Sequence, residues 1–500
     1  MLRIISPVPP LDAAERHALD TLVDLSRLLV IEGGAGGAGE AAAAGGAGGE
    51  SVELRVTESA EASTVDTLRE GPRGGGVGGG GGLRPRDGGV EIPRALLRLV
   101  THIVGGVREQ RSTATDRHGR VPHSENDPAR QGFEREPVVN RIAVALRRAV
   151  IEAAGRRAVV LVAPWPSGKR WAVAMTHDLD VVAGWPAFTA LRIVELLGKA
   201  QLRRAARSTA SAVRAIGRDP IFSTARDILS TERRLGMRST WFIISGSATL
   251  QSIKAGDITY TVESRASRRI IDAALHDEHE LALHGSFATL DAPRFFREQR
   301  DRLAALASAP IAGVRQHFIR MRPGTTHEHM AHAGFAYDST FGFSDRNGFR
   351  LGVADVVRVW DDGGQRALGL DEVPFVWMDR ALSKYRGVED PDAWIQDALA
   401  LAATCREVEG VWNGIWHPNL APALGFPGAP AAFETLCEQL MAHAPWSASL
   451  GEIVRWRRAR RTVRAVGEAR ADALRLRVPG GAAALALEDA DGRPVPFTPV

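Results

Sequence analysis

From residue 138 onward the sequence switches repeatedly between two hydrophobic periods, and that switching restricts the fold more than any other feature. Apolar residues recur at helical spacing over 138–154. Beyond them, short apolar runs at 172–176, 240–244, 280–283, 313–318, 336–338, 372–377 and 411–416 predict buried strands. Helical patterns at 224–235, 265–276, 294–307, 326–333 and 391–407 lie between most of these runs. Repeated strand–helix units of this length predict an α/β fold, either a parallel barrel or a doubly wound sheet. Seven strand runs favour the first, as a distorted and incomplete (β/α) barrel spanning 136–461.

The flanks read differently. A helical pattern at 19–31 and strand-like alternation at 51–57 predict a small N-terminal α+β domain over 1–135. Gly/Ala-rich tracts at 33–49 and 74–82 cannot bury enough surface to offset their ordering entropy, so linkers or flexible loops are expected there. They are not phosphate loops, because Leu83-Arg84-Pro85 follows where Gly-Lys-Ser/Thr would be needed. After Arg461, alternation at 473–478 and 483–487 and the turn Asp491-Gly492 predict a short β appendage over 462–500, packed on the barrel.

Composition removes several classes of function. A net charge of +4 over 500 residues is small, and no basic stripe interleaved with aromatics appears, so no nucleic-acid partner is expected. Cys405 and Cys437 fall in separate helical patterns without metal-ligand spacing, which predicts buried free thiols. No stretch of 18 apolar residues occurs, so no transmembrane segment is expected. The opening residues, Met1-Leu-Arg-Ile-Ile-Ser-Pro, lack an apolar core of signal-peptide length. The expected location is the cytoplasm, and the sequence leaves protein partners open.

Chemistry first shows itself at Thr176-His-Asp-Leu-Asp180, which closes the first barrel strand. Side chains alternate along a strand, so Asp178 and Asp180 face one way and His177 the other. Like-facing carboxylates about 7 Å apart repel unless a cation lies between them or one is protonated, which indicates a metal or acid/base site. The plain alternative is a pair of acids capping the next helix. Other strand runs also end in reactive groups: His284, Arg315 with His317, Trp377 with Asp379, and His417. Barrel active sites gather at the C-terminal ends of strands, so residues more than 230 positions apart are expected to converge.

These motifs permit a comparison. Met175-Thr-His-Asp-Leu-Asp180, Ser239-Thr-Trp-Phe-Ile-Ile244, His279-Glu-Leu-Ala-Leu-His-Gly-Ser286 and Ile415-Trp-His-Pro418 resemble, in order and spacing, those of the polysaccharide deacetylases, carbohydrate esterase family 4. The likeness covers about 170–461 and is closest to a bacterial branch whose fourth strand reads Arg-Gln-His-aromatic, here Arg315-Gln-His-Phe318, followed by Gly334-Phe-Ala-Tyr-Asp-Ser-Thr340. The resemblance implies metal-dependent removal of an N-acetyl or related acyl group from a carbohydrate. It implies Asp178 as general base, Asp180 and His284 as metal ligands, Arg315 as the residue orienting the base, and His417 as general acid. A divalent metal is the implied cofactor, with zinc expected.

One departure affects the metal. The family pattern places a second ligand histidine four residues after the first, but here that residue is Ala288. Either another side chain completes the site or the metal is gone; His317, two residues beyond Arg315, is the replacement expected. Trp377, Asp379, Tyr337 and Arg350 are the candidate substrate contacts: Trp377 is either a platform for a sugar ring or a core residue, Asp379 bonds substrate or Arg315 or caps the next helix, and Arg350 lies in the 345–350 loop above the barrel. His276 and His279 are expected on the surface, and His327, His329 and His332 on a solvated helix. The substrate class expected is an N-acetylated glycan or sugar precursor, such as one for an envelope or exopolysaccharide. The alternatives are an amidohydrolase acting on a non-sugar amide and a catalytically inactive barrel that binds glycans or scaffolds an assembly.

Overall fold

A computed structural model describes residues 1–5, 9–31, 51–58, 82–182, 185–198, 200–247, 260–466, 474–478 and 485–500. The two Gly/Ala-rich tracts, Gly82 excepted, lie outside the described residues, as do Ala473, Ala483 and Ala484 of the C-terminal strand runs.

The central sheet comprises β1 (Ala172–Leu179), β2 (Ser239–Ile243), β3 (Glu280–Gly285), β4 (Gly313–Gln316), β5 (Tyr337–Asp338), β6 (Val357–Asp361), β7 (Arg366–Glu372), β8 (Trp377–Met378), β9 (Val411–Ile415) and β10 (Trp446–Ser447). Its order is β6-β7-β5-β4-β3-β2-β1-β9-β8, with β10 paired to the first two residues of β1. Every pairing is parallel except the β6/β7 hairpin. The sheet curls into a half-barrel and remains open between β6 and β8. All eight residues of β1 are buried, which explains why this strand reads as an unbroken apolar run up to its reactive end.

Two departures from the expected strands have local causes. The run at 372–377 contains Pro374, which cannot donate to a ladder, and the chain splits there between the end of β7 and the start of β8. The β6/β7 hairpin, which turns near Gly363-Gly364, adds an antiparallel edge that the expected strand–helix units do not include.

The termini build one second sheet together. Leu2–Ile5, Val30–Ile31, Val52–Thr57, Arg84–Arg86 and Gly89–Pro93 are joined by Arg464–Ala465, Arg475–Arg477 and Thr498–Pro499. The contact between the two ends of the chain is parallel, with Arg464 opposite Val30 and Ala465 opposite Ile31. The C-terminal appendage thus extends the N-terminal sheet instead of packing only on the barrel. An otherwise open strand edge gains a hydrogen-bonded neighbour, and Val463, Ala465 and Leu476 become buried. Helices Ala13–Ser26 and Val138–Ala154 contribute to the apolar core beneath this sheet. Polar ties fix it to the barrel: Arg461 bridges Asp24 and Asp371, and Arg350 pairs with Glu109.

Candidate active site

The end of β1 divides its side chains as strand alternation requires. His177 turns into the core, where Nδ1 lies 2.8 Å from the Trp416 carbonyl and Nε2 lies 3.0 Å from Glu232. Asp178 and Asp180 turn to the opposite side, inside the curl of the sheet. Arg315 on β4 reaches Asp178 across the barrel interior, donating to its Oδ1 at 2.7 Å and to Thr176 Oγ1 at 2.9 Å. Its remaining donors engage the Ser339 carbonyl at 2.9 Å and Ser339 Oγ at 2.8 Å, and its guanidinium lies 4.1 Å from the centre of the Phe242 ring. A planar fork held on several sides cannot swing away from the carboxylate.

Burial alone would raise the Asp178 pKa. The Arg315 cation, helped by His284 and His417, outweighs burial and holds the carboxyl below its ordinary value. Asp180 is governed in the same way, with His317 and His284 overcoming burial to keep it ionised.

Three further histidines and one acid complete the cluster. His284, near the end of β3, places Nε2 3.3 Å from Asp180 Oδ1 and 3.8 Å from Asp178 Oδ2. His317 places Nε2 3.5 Å from the same Asp180 oxygen. His417, two residues past β9, has Nε2 3.7 Å from Asp180 Oδ2 and 3.9 Å from Asp178 Oδ2. Its other face is fixed by Asp379, which receives the His417 backbone N–H at 2.7 Å and lies 2.6 Å from Nδ1. Burial lowers the His417 pKa, but Asp379 more than compensates and the net shift is upward. Asp379→Asn should therefore lower the His417 pKa. If protonated His417 is required, the alkaline limb of kcat/KM moves to lower pH in that variant while the acid limb stays in place. An unmoved alkaline limb in the pH profile would separate His417 from that ionisation.

Asp180, His284 and His317 fit a divalent cation. Their ligand atoms all lie within 4.8 Å of one another. Ligand atoms bonded at about 2.0–2.1 Å to one tetrahedral ion sit about 3.4 Å apart. Both histidine nitrogens meet that separation from Asp180 Oδ1, at 3.3 and 3.5 Å. The orientation of His284 also suits: Nδ1 lies 3.0 Å from the Arg315 carbonyl, which can only accept, so Nδ1 carries a proton and Nε2 is the nitrogen left to face a cation.

A second buried group, His327, Asp338 and Glu372, has similar spacing but the opposite tautomer. Gly324 N–H donates to His327 Nδ1 at 3.3 Å, so Nε2 carries the ring proton and directs it between the two carboxylates. We assign this trio to joining helix Thr325–His332 to β5 and β7.

Several side chains lie elsewhere than the sequence suggests. The strand carrying Arg315 stops at Gln316, and His317 enters a tight turn in which Phe318 and Ile319 have φ of 58° and 55°. Gln316 is still extended, with φ -75° and ψ 132°, so alternation from Arg315 carries His317 to Asp180 as expected, and the left-handed turn follows it. Trp377 is fully buried and stacks between Trp412 and Trp416, so it is a core residue and not an exposed sugar platform. Tyr337 is equally buried beside Gly313, where a Cβ would lie only 2.0 Å from its ring. Arg350 is occupied by Glu109 and by the Gly342 and Val121 carbonyls, as a tie between segments. Asp379, expected at the substrate, contacts His417 instead. His279 and His327 are buried, not on the surface.

A cavity of about 330 Å³ opens beside the cluster, bordered by Asp180, His317, Phe318, Arg380, Lys384 and Asn419. This is the size of a small-molecule site, typically about 300–1,000 Å³. Thr176 and Ser339, which fix Arg315, and the cations Arg380 and Lys384 were not singled out from sequence. The Ser and Thr carry no signal outside their contacts, and the two cations follow β8 in a segment without strand periodicity.

No family model matches the sequence, and no curated protein matches it significantly. Solved structures do show a likeness. A protein from Mycobacterium smegmatis assigned as a polysaccharide deacetylase is 20% identical, with a TM-score of 0.40, over 59% of this chain and 92% of that one. A similarly assigned protein from Pseudomonas aeruginosa PAO1 is 16% identical, with a TM-score of 0.38, over 59% and 94%. The chain resembles polysaccharide deacetylases. The allantoinase Puue is also similar, at 13% identity and a TM-score of 0.38 over 58% and 92%. What this barrel does rests on its own residues.

Proposed function

We propose that the protein is a metal-dependent hydrolase that removes an N-acetyl or related acyl group from a carbohydrate, with zinc as the metal. The observation that carries this reading is the Asp180, His284 and His317 triangle flanked by an ionised carboxylate and a protonatable imidazole. Asp180, His284 and His317 would hold the ion as three protein ligands with one position open. When bound, such a cation polarises the acyl carbonyl and lowers the pKa of water.

The remaining work belongs to the chain. Asp178, kept ionised by Arg315, accepts the proton of the attacking water. His417, protonated and oriented by Asp379, gives its proton to the departing nitrogen, without which an amine is too poor a leaving group. The acyl carbon gains an oxygen and loses the amine, so an acid and a free amino sugar result. The cavity beside Asp180 would receive the sugar, and the proposed setting is the cytoplasmic side, on an envelope or exopolysaccharide precursor.

Acetate release from N-acetylated oligosaccharides and sugar precursors tests this reading. Release should cease with a chelator and return with zinc. His417→Ala should slow amide substrates by about 10²–10⁴ and activated acetate esters far less, since esters need no protonation of the leaving group. No release from any N-acyl sugar by the zinc-loaded protein, or equal slowing of amides and esters, would refute the respective assignments.

A further inference from the structure

The residues after β1 form a helical hairpin, Trp185–Gly198 and Leu202–Arg214, whose outer surface is unlike the rest of the molecule. Its inner side is conventional: Thr189, Leu196, Ala205 and Ser208 are buried, and Thr189 Oγ1 donates to the Ala423 carbonyl at 3.0 Å. Its outer side exposes Leu191, Val194, Leu197, Leu202, Val213 and Ile216, each by 50–74%. Apart from Val500, no other large hydrophobic side chain among the described residues is as exposed. Scattered exposed leucines need no explanation, but six exposed large apolar side chains between residues 191 and 216 of one hairpin mark an interaction surface.

The pattern within each helix is ordered. Leu191, Val194 and Leu197 recur every three residues and form one stripe opposite buried Leu196. On the second helix, Leu202 and Val213 lie eleven residues apart and share a face. Exposed Arg203, Arg207 and Arg214 form a second stripe about 100° further round the same helix, on the side away from buried Ala205 and Ser208. Residues 185–218 contain seven basic side chains against one acid, a net of +6, whereas the whole chain carries only +4. The positive charge is thus concentrated on the same segment as the exposed apolar side chains.

An apolar stripe bordered by arginines is the signature of a helix lying in a lipid interface, apolar face down and cations among headgroups. No helix among the described residues is long and apolar enough to cross a membrane, so the hairpin would lie on a bilayer and not span it. Its position adds a consequence. Leu191, exposed on the hairpin, also lines the cavity beside Asp180, together with Phe188 and Arg192 of the same helix. We propose that this hairpin docks the protein on an anionic lipid surface and turns the mouth of the candidate active site toward the headgroup layer. A substrate tethered to lipid would reach Asp180 without leaving the membrane surface. This inference stands on the hairpin and does not depend on the reaction proposed above.

Cosedimentation of the full chain with vesicles tests it. The protein should sediment with vesicles of phosphatidylglycerol mixed with phosphatidylcholine, weakly with phosphatidylcholine alone, and less as salt is raised. The variant Val194→Glu/Leu197→Glu/Leu202→Glu, whose three positions do not line the cavity, should bind more than about a hundredfold more weakly. Replacing Arg203, Arg207 and Arg214 by Gln should cost about a hundredfold, or roughly fivefold per residue. Unchanged thermal melting would show that both variants fold. Wild-type protein left in the supernatant, or a triple-Glu variant that binds undiminished, would overturn the proposal. So would a wild-type dimer in sedimentation analysis that ignores vesicles and dissociates in the triple-Glu variant, because the face would then belong to a second copy of the chain.

Discussion

Asp178→Asn should lower turnover by about 10²–10⁴ while leaving metal content unchanged, and Asp180→Asn should abolish both. The contrast follows from what each carboxylate touches. Asp178 gives one oxygen to Arg315 at 2.7 Å and leaves the other 3.8 Å from His284 and 3.9 Å from His417. Asparagine keeps that shape but cannot accept a proton from water. Asp180 Oδ1 is the atom that both His284 and His317 approach, so its loss removes the corner that the ligand triangle shares. Atomic absorption on the purified variants, alongside acyl-release assays, separates the outcomes. Metal lost from the Asp178 variant and kept by the Asp180 variant would reverse the two roles.

The second large effect is on stability. Arg315→Leu should destabilise the fold by about 3–5 kcal/mol, because it leaves the buried Asp178 charge without its principal counter-ion. Asp178 is 5% exposed and Arg315 1%, so water cannot substitute for the lost partner. The pH dependence has a definite sign. In the wild type the depressed Asp178 pKa contributes stability above the carboxyl's unfolded value, and this is lost as pH falls through the native value. In the variant, burial acts with less opposition and favours the protonated form, so the deficit relative to wild type should shrink toward acid. Adding Asp178→Asn should restore much of the loss, since the uncompensated charge is then gone. Denaturant titrations with chelator present throughout would measure all of these. An Arg315→Leu protein as stable as wild type near neutral pH would show that the pair is not coupled as its geometry indicates.

Both predictions depend on residues far apart in sequence, and the sequence carried part of that arrangement. Chain-local chemistry was legible. The apolar run before Thr176, the alternation that sends His177 inward and Asp178 and Asp180 outward, and the recurrence of strand–helix units all follow from periodicity within a few residues. The barrel-like curl, its parallel pairing and the gathering of strand ends follow from those units, because parallel strands need crossovers and crossovers place their C-terminal ends together.

Other features were settled only by contacts that periodicity does not encode. Trp377 and Tyr337 end or begin strands just as reactive residues do, yet neighbouring rings and the open space at Gly313 draw them into the core. Asp379 and Arg350 have the right chemistry for a substrate, but His417 and Glu109 lie within reach and take them. The joining of both termini in one sheet depends on an unfilled edge at Val30–Ile31, which no local pattern signals. His317 shows the division most sharply. Its residue type marked it as a replacement for the histidine missing at Ala288. Alternation from Arg315 aims it into the barrel, but that Asp180 and His284 meet it there is settled only once β1, β3 and β4 are assembled side by side.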